Sequence, residues 1–572
     1  MADVSDEEDF EILLPEEREF QEAARSGNVK LVKTFIRNRI NVNCMDEKDR
    51  TSLHLAAGQG HTEVIETLVD SDVRIDFADK YGMNGILWAA WFGQKAAIES
   101  LVKCGANVKA ENKLGQTMVH CAASRGHVDV LQYIVTDILE EDEDDEEDND
   151  PPEELDADLP NMEDQTKTTE SAGAFGTMWG GIGNVLGYVS NKLQGVKQQK
   201  KIRDEKSYLE QKLPEKLDSK TPLLIACEAG QLAALEFLIN ARCNKLARTA
   251  NGSTGLHLAA AKGHPEILAK LLECDMEIDV RNSEGKTPLH MAAENGHGDV
   301  VELLLQRKTN GNIKSSRNFG AIHFAAKNNH TNVIRILAKY RVDFNLRCEF
   351  QNAAIHIASA LGNCEAIDAI LDGGGNVNAM NEKKRTALHE AVENGFTDAV
   401  EKLLIGGIYV PQIDKSGKTA LMMAARAENI TCVDMIIKAD RFFIKRKQFG
   451  QAYKRGSEPI QFRKERNAAQ CQMRPVCWDL ATKHLTQEDM EKLIFVWSFT
   501  QPQVKAIQSQ FTGKKSWKEH TYRMMLIWLH GIDDNPLKEL YESLVSIGRK
   551  KLAEQVRFKV SQQGNGKGCS IS

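Results

Sequence analysis

The sequence predicts an all-α protein: a solenoid of helix-turn-helix units with β-turn tips, followed by a six-helix bundle. Three observations predict it. The motif Thr287-Pro288-Leu289-His290-Met291-Ala292-Ala293 recurs at a step of 33 residues, back to Thr254 and Thr221 and forward to Gly320, Ala353, Thr386 and Thr419. A second series in the same frame runs Arg18, Thr51, Asn84 and Thr117. Beyond residue 470 the period stops, and Trp478, Trp497 and Trp528 fall within 51 residues. A fixed period of this length marks stacked units, none of which can bury its apolar face alone.

Each position of the unit has a physical task. Thr caps the first helix and Pro suits its first turn. Leu and the small Ala pair allow close helix packing. Gly296-His297 ends the first helix, and the Val300, Leu303 and Leu304 stripe builds a second at helical spacing. Asn282 to Gly285 forms a polar tip. This unit resembles the ankyrin repeat. Eleven copies start at 18, 51, 84, 117, 221, 254, 287, 320, 353, 386 and 419. The first and last are weak in motif, as capping units are.

Bulk properties narrow the class. A chain of 572 residues expects several domains or one long solenoid. It has no apolar run of about 18 residues, so no transmembrane helix is expected. The acidic start, from Asp3 to Asp9, does not fit a secretory signal peptide. Twelve cysteines show no CxxC pair, which suits a reducing, cytoplasmic setting. The net charge is -9, yet residues 140–164 hold sixteen acids, so the remainder is +7.

The histidines bear on catalysis. His54, His120, His257, His290, His323, His356 and His389 fill the position after Leu, Ile or Val. His61, His127, His264, His297 and His330 fill the position at the end of the first helix. His484, His520 and His530 remain. With no metal-ligand spacing, phosphate-binding loop or nucleophile elbow, no enzyme, cofactor, metal or small-molecule substrate is expected.

In chain order, 1–17 is an acidic segment in which Phe10 and Leu13 are two anchors three apart. It resembles the short motif that adds a strand to autophagy-related ubiquitin-like adaptors. Residues 9–14 also resemble an acidic dileucine sorting signal. The alternative is that these residues cover the open face of the first repeat. Repeats 1–4 span 18–139, and in the third Trp88 and Trp91 replace small or polar residues. Either they fill packing space, or one anchors a partner.

Residues 140–216 break the period. The acidic run cannot fold and repels itself, so a solvated linker is expected. On a helical wheel, Phe175, Met178, Trp179, Ile182, Val185, Leu186, Val189 and Leu193 fall within an arc of about 120°. The opposite face is almost uncharged and rich in Gly, Ser, Thr and Asn. This resembles an amphipathic lipid-packing sensor, and the alternative is docking on the protein's own solenoid. Repeats 5–11 span 217–440. Their Asn345 and Asn378 resemble sites where ankyrin proteins are hydroxylated on Asn. The basic, aromatic stretch 441–470 reads as a solvated linker with a closing helix, not as a nucleic-acid site, because no recognition module accompanies it.

In 471–558 the apolar pattern predicts six helices starting near Val476, Thr486, Pro502, Trp517, Asn535 and Arg549. Trp478-Asp479-Leu480-Ala481, Met525-Leu526-Ile527-Trp528-Leu529 and Gly548-Arg549-Lys550-Lys551-Leu552-Ala553 resemble a death domain. Lys551 stands where that family carries an acid. With Val433 to Phe442 and His520 to Gly531, the layout resembles the ankyrin repeat and death domain-containing protein family over 18–139 and 217–558. That resemblance implies homotypic helical-bundle contacts and self-association. Basic Lys514, Lys515, Lys518, Arg549, Lys550 and Lys551 and acidic Asp533 and Asp534 form patches suited to head-to-tail contact. The flexible tail 559–572 ends Cys569-Ser570-Ile571-Ser572, a prenylation box.

The expected function is a non-enzymatic adaptor in signal transduction. Its solenoid groove binds a protein and its death domain recruits another. The alternative is a membrane-associated trafficking or curvature scaffold, using 175–196 and prenylated Cys569 for peripheral membrane attachment.

Overall fold

A computed structural model describes residues 13–138, 208–214, 219–451, 453, 455, 460–463, 468–510, 516–532 and 535–564. Among these residues the structure is helical and has no strand; a single β-bridge joins Ile413 and Thr419. The chain divides into two compact units, one ending at Ser283 and one beginning at Glu284. The division falls inside the 217–440 repeat block and not at a change of composition.

The first unit holds six repeats. Their helix pairs are α1 Pro15–Arg25 and α2 Val29–Arg37, α3 Ser52–Gln59 and α4 Thr62–Val69, and α5 Gly85–Phe92 and α6 Lys95–Lys103. Then follow α7 Met118–Arg125 and α8 Val128–Tyr133, α9 Pro222–Ala229 and α10 Leu232–Asn240, and α11 Gly255–Lys262 and α12 Pro265–Glu273. First helices pack on first helices and second on second. The fully buried Ala56, Ala57, Ala89, Ala90, Ala122 and Ala123 permit that close approach.

In this unit two expected boundaries move. Helix α1 begins at Pro15, inside the stretch read as an acidic N-terminal segment. Pro at the first turn starts it early. Leu13 is buried at 8% exposure and does belong to the first repeat's core. At the other boundary, residues 208–214 are not linker. Leu209 and Leu213 are buried. The Tyr208 hydroxyl donates to the Val108 carbonyl at 3.1 Å, and the Gln211 amide to Glu111 at 2.7 Å. This short segment supplies the tip that α9 needs, so α7 and α9 pack as neighbours although 96 residues separate their facing ends, Arg125 and Pro222.

The second unit holds five repeats and the C-terminal helices. The repeat helices are α13 Pro288–Asn295, α14 Gly298–Gln306, α15 Ala321–Lys327, α16 Thr331–Lys339 and α17 Ala354–Leu361. They continue as α18 Cys364–Asp372, α19 Ala387–Glu393, α20 Thr397–Ile405, α21 Ala420–Arg426 and α22 Ile430–Gln448. Six more follow: α23 Ala468–Asp479, α24 Gln487–Val496, α25 Gln501–Gln508, α26 Ser516–His530, α27 Pro536–Ser546 and α28 Lys550–Gly564. Five of the six begin within two residues of the expected starts. Helix α23 begins eight residues early and carries Pro475 in its interior. Proline there removes the bond to the residue four back, which is the solvent-exposed Cys471.

The described residues of the stretch read as a solvated basic linker are part of the fold. Helix α22 crosses position 440 and runs to Gln448, 19 residues in all. Two of its cations meet specific acceptors in the bundle. Arg441 donates to the Trp497 carbonyl at 2.9 Å, capping the end of α24, and Lys445 to the Gly531 carbonyl at 2.8 Å, capping α26. Farther on, Arg455 pairs with Asp368 at 2.6 Å and Arg463 with Asp398. Helix α26 returns Arg523, 3% exposed, to Asp434 of α22 at 2.6 Å. Gln503 of α25 donates to Asp440 at 2.8 Å.

Candidate protein-interaction surfaces

The histidines come first, because they are the groups most able to do chemistry. In the repeats the ring lies flat inside the turn that it closes. His54 Nδ1 accepts the Thr51 N–H at 3.0 Å, which leaves the ring proton on Nε2, and Nε2 donates to the Met83 carbonyl of the next tip at 2.9 Å. His323 and His356 repeat the arrangement at Gly320 and Ala353, where the capping residue has no hydroxyl. In Thr221 and Thr419, whose repeats lack this His, the Thr oxygen accepts from the third helical residue instead. The sequence reading assigned the cap to Thr throughout; where His is present, its ring bonds the Thr backbone N–H. Burial pushes His120, His323 and His356 down to about 4, despite backbone carbonyls that oppose the shift. Such rings stay neutral at pH 7 and carry no free lone pair for catalysis.

The second set of histidines faces backward along the stack. His61, His127 and His264 donate from Nε2 to Arg25, Trp91 and Glu228 carbonyls at 3.0 to 3.1 Å. Outside the repeats, His530 bonds the Gln461 carbonyl at 2.8 Å and His520 the Gln510 carbonyl. Among the described residues no group of three or more His, Cys, Asp or Glu could hold a metal. The thiols of Cys121, Cys227 and Cys477 are pushed up to about 12 by burial, so they are not nucleophiles. Cys274 caps the end of α12 and is half-buried.

The surfaces are more specific than the interior. In the first unit, α5 turns Trp88, Trp91 and Phe92 toward one exposed face. Trp88 is half-buried: its Nε1–H donates to the buried Asp79 at 2.9 Å and its ring lies 5.5 Å from Phe92. Gly58 on α3 makes room for both, because a Cβ there would meet Trp88 at 3.1 Å and Phe92 at 3.3 Å. Trp91 lies under the exposed Arg125 guanidinium at 4.2 Å. Phe92 is 46% exposed, and the neighbouring tips expose Met45, Tyr81 and Leu114. Both indoles therefore pack, and an aromatic shelf stays open to solvent. The tip residues Asn345 and Asn378 accept backbone N–H groups from Asn376 and Tyr409 of the following tips, at 2.9 and 2.7 Å.

In the C-terminal bundle one expected patch changes character. Arg549 is not a free surface cation: it donates from Nε and Nη2 to both oxygens of Asp489, at 2.9 and 2.7 Å. Burial raises the Asp489 carboxyl, but hydrogen bonds from Arg549 and Thr486 outweigh it and hold the group below its ordinary value. A base read as a member of a surface patch is thus bound to an acid of the same bundle. Lys518 donates to the Thr482 carbonyl, whereas Lys550 and Lys551 are exposed. Trp497 and Trp528 stack at 4.7 Å in the bundle core, and Trp497 donates to Ser543 at 3.0 Å.

The remaining candidate residues lie outside the described residues: Phe10, Phe175 to Leu193, Lys514, Lys515, Asp533, Asp534 and Cys569. Among the described residues no helix is long and apolar enough to cross a membrane.

A family model for ankyrin repeats (3 copies) matches residues 20–112, 86–151, 192–282, 223–315, 256–348, 308–381 and 355–447. The matches join into 20–151 and 192–447, more than half of the chain. They end inside α22, one residue before the helix does. Ankyrin-repeat proteins bind other proteins and are typically non-enzymatic, and no catalytic family is indicated.

Proposed function

The chain belongs to the ankyrin-repeat family, and from that premise we propose that it is a non-enzymatic adaptor in signal transduction. The repeats hold one protein partner. The C-terminal six-helix bundle acts as a death-domain module and recruits a second helical-bundle protein. The observation that carries this reading is the aromatic shelf of the first unit. Trp88 and Trp91 pack in part and Phe92 is exposed, so one face of a repeat helix keeps aromatic area partly in water. Exposed aromatic clusters of this kind are characteristic binding anchors.

Proximity labelling in cells tests the reading, with the full chain compared with a Trp91→Ala/Phe92→Ala variant and a Lys550→Glu/Lys551→Glu variant. The adaptor reading expects each variant to lose a different set of neighbours, the bundle variant losing helical-bundle signalling proteins. Identical sets from all three chains would overturn it.

A further inference from the structure

The most exposed large apolar side chain among the described residues is Phe495, at 86%. It is not isolated. With Val496, Ile547 and Gly548 it lines an open cleft of about 800 Å³ between α24 and the end of α27. Val545 stands beside the cleft and is itself exposed. A lone exposed apolar residue needs no explanation, but a cluster on two helices does. The bundle meets the last repeat through α25 and α26, which pack on α21 and α22, so the α24–α27 face is left open within this unit.

The rim has a sign. Glu488 and Glu491 line the cleft, at the helical spacing that puts them on the Phe495 face of α24. Glu542, exposed on α27, lies three residues before Val545. Lys492 is the cation among the lining residues. Asp489 adds nothing to the rim because Arg549 already takes both its oxygens. An apolar floor with an excess of carboxylates fits a helix that presents apolar residues one turn apart and Lys or Arg on its flanks.

A second copy of this chain is the competing occupant, since α28 carries exposed Lys550, Lys551, Arg557 and Phe558. It fits less well. Its apolar residues Ala553 and Val556 are buried in the bundle and Leu552 and Val560 are half-buried, which leaves Phe558 as its one exposed anchor for a four-residue apolar floor. We propose that the α24–α27 groove binds a basic amphipathic helix of a different protein, with Phe495 between its apolar anchors and Glu488 and Glu491 facing its cations. This rests on the reading of the bundle as a recruiting module and names the chemistry that it recruits.

The test uses the full chain and a 14-residue fluorescein-labelled amphipathic peptide of Leu and Lys, with a Leu–Glu peptide of the same pattern as control. The peptides also carry a benzophenone for crosslinking. Anisotropy should show binding of the Leu–Lys peptide, at least about tenfold weaker in Phe495→Ser and several-fold weaker in Glu488→Gln/Glu491→Gln. In the double variant the salt dependence should flatten. Crosslinks should map to α24 and α27. Crosslinks confined to the acidic run 140–164, equal binding by all variants, or equal binding of the Leu–Glu peptide would each overturn the proposal. So would sedimentation showing that Phe495→Ser dissolves a dimer of the chain while leaving peptide affinity intact. If the bundle variant in cells still loses its neighbours after such a result, the adaptor reading stands and this inference alone falls.

Discussion

The repeats and the joint between the last repeat and the bundle are both all-helical, yet they are held together differently. In the repeats, the bonds between neighbours join residues a repeat apart: His54 to Met83, His61 to Arg25, Asn378 to Tyr409. Every interface is a variation on the one before it. At the joint the bonds run from Arg441 to Trp497, Lys445 to Gly531 and Arg523 to Asp434, and among the described residues none recurs at the 33-residue step. A stack of similar interfaces loses stability piece by piece. A joint of unlike polar contacts loses it at once, because breaking the Arg523–Asp434 pair strands a buried charge.

Acid should break the comparison most strongly. His120, His323 and His356 have folded values near 4, below the ordinary 6.5 of the unfolded chain. As pH falls below 6.5 the unfolded state takes up protons first, so stability falls until about pH 4, where both states are protonated. Each ring contributes on the order of 1–3 kcal/mol to that loss. Asp489 is also held low, but from 3.8, so its contribution is present above that value and is lost only as pH drops below it. Urea melts at pH 7 and pH 4.5, read by hydrogen exchange, should therefore show the repeats weakened and the Asp489–Arg549 contact preserved.

At neutral pH the joint is the more fragile to a single lesion. Asp434→Ala leaves Arg523, 3% exposed, without its carboxylate and should cost about 3–5 kcal/mol. Among the described residues Arg523 Nη1 has no hydrogen-bond partner, which adds to the penalty of stranding it. Fluorescence of the stacked Trp497 and Trp528 should report one cooperative loss of α22 and the bundle together. His323→Ala should cost less, about 1–3 kcal/mol, since it frees one N–H and the Leu346 and Asn352 carbonyls that share one ring donor. Its effect should stay within neighbouring repeats, as exchange protection of 315–355 would show. The smallest effect on stability is expected from Trp91→Ala, under about 1 kcal/mol, because the ring is half-exposed and its main partner is a surface Arg125. A large loss of stability in that variant would mean that the shelf serves packing and not recognition.

The histidines show how far local reading reaches. Their positions were assigned to structure from the period, and the rings do bond across the repeat. That the ring, and not only the Thr hydroxyl, closes the turn was hidden, because Thr and His recur together and spacing cannot apportion roles. Gly320 and Ala353 were the available signal, since the His persists there without a hydroxyl. Arg549 misled in the opposite sense. Charges clustered by sign suggested separate faces, but Asp489 lies 60 residues away and faces it.

By itself the sequence determined the helical class, the repeat frame and five of the six bundle helices. Each depends on spacing within a turn or on one period, where side-chain chemistry and backbone geometry are coupled directly. Only the tertiary structure decided that 208–214 completes a tip, that the basic stretch after 440 clamps the bundle, and that Phe495 stays exposed. Those outcomes depend on partners 56 to 100 residues distant, or on a packed neighbour that never arrives. No periodicity encodes such a pairing, so it becomes visible only when the helices have packed.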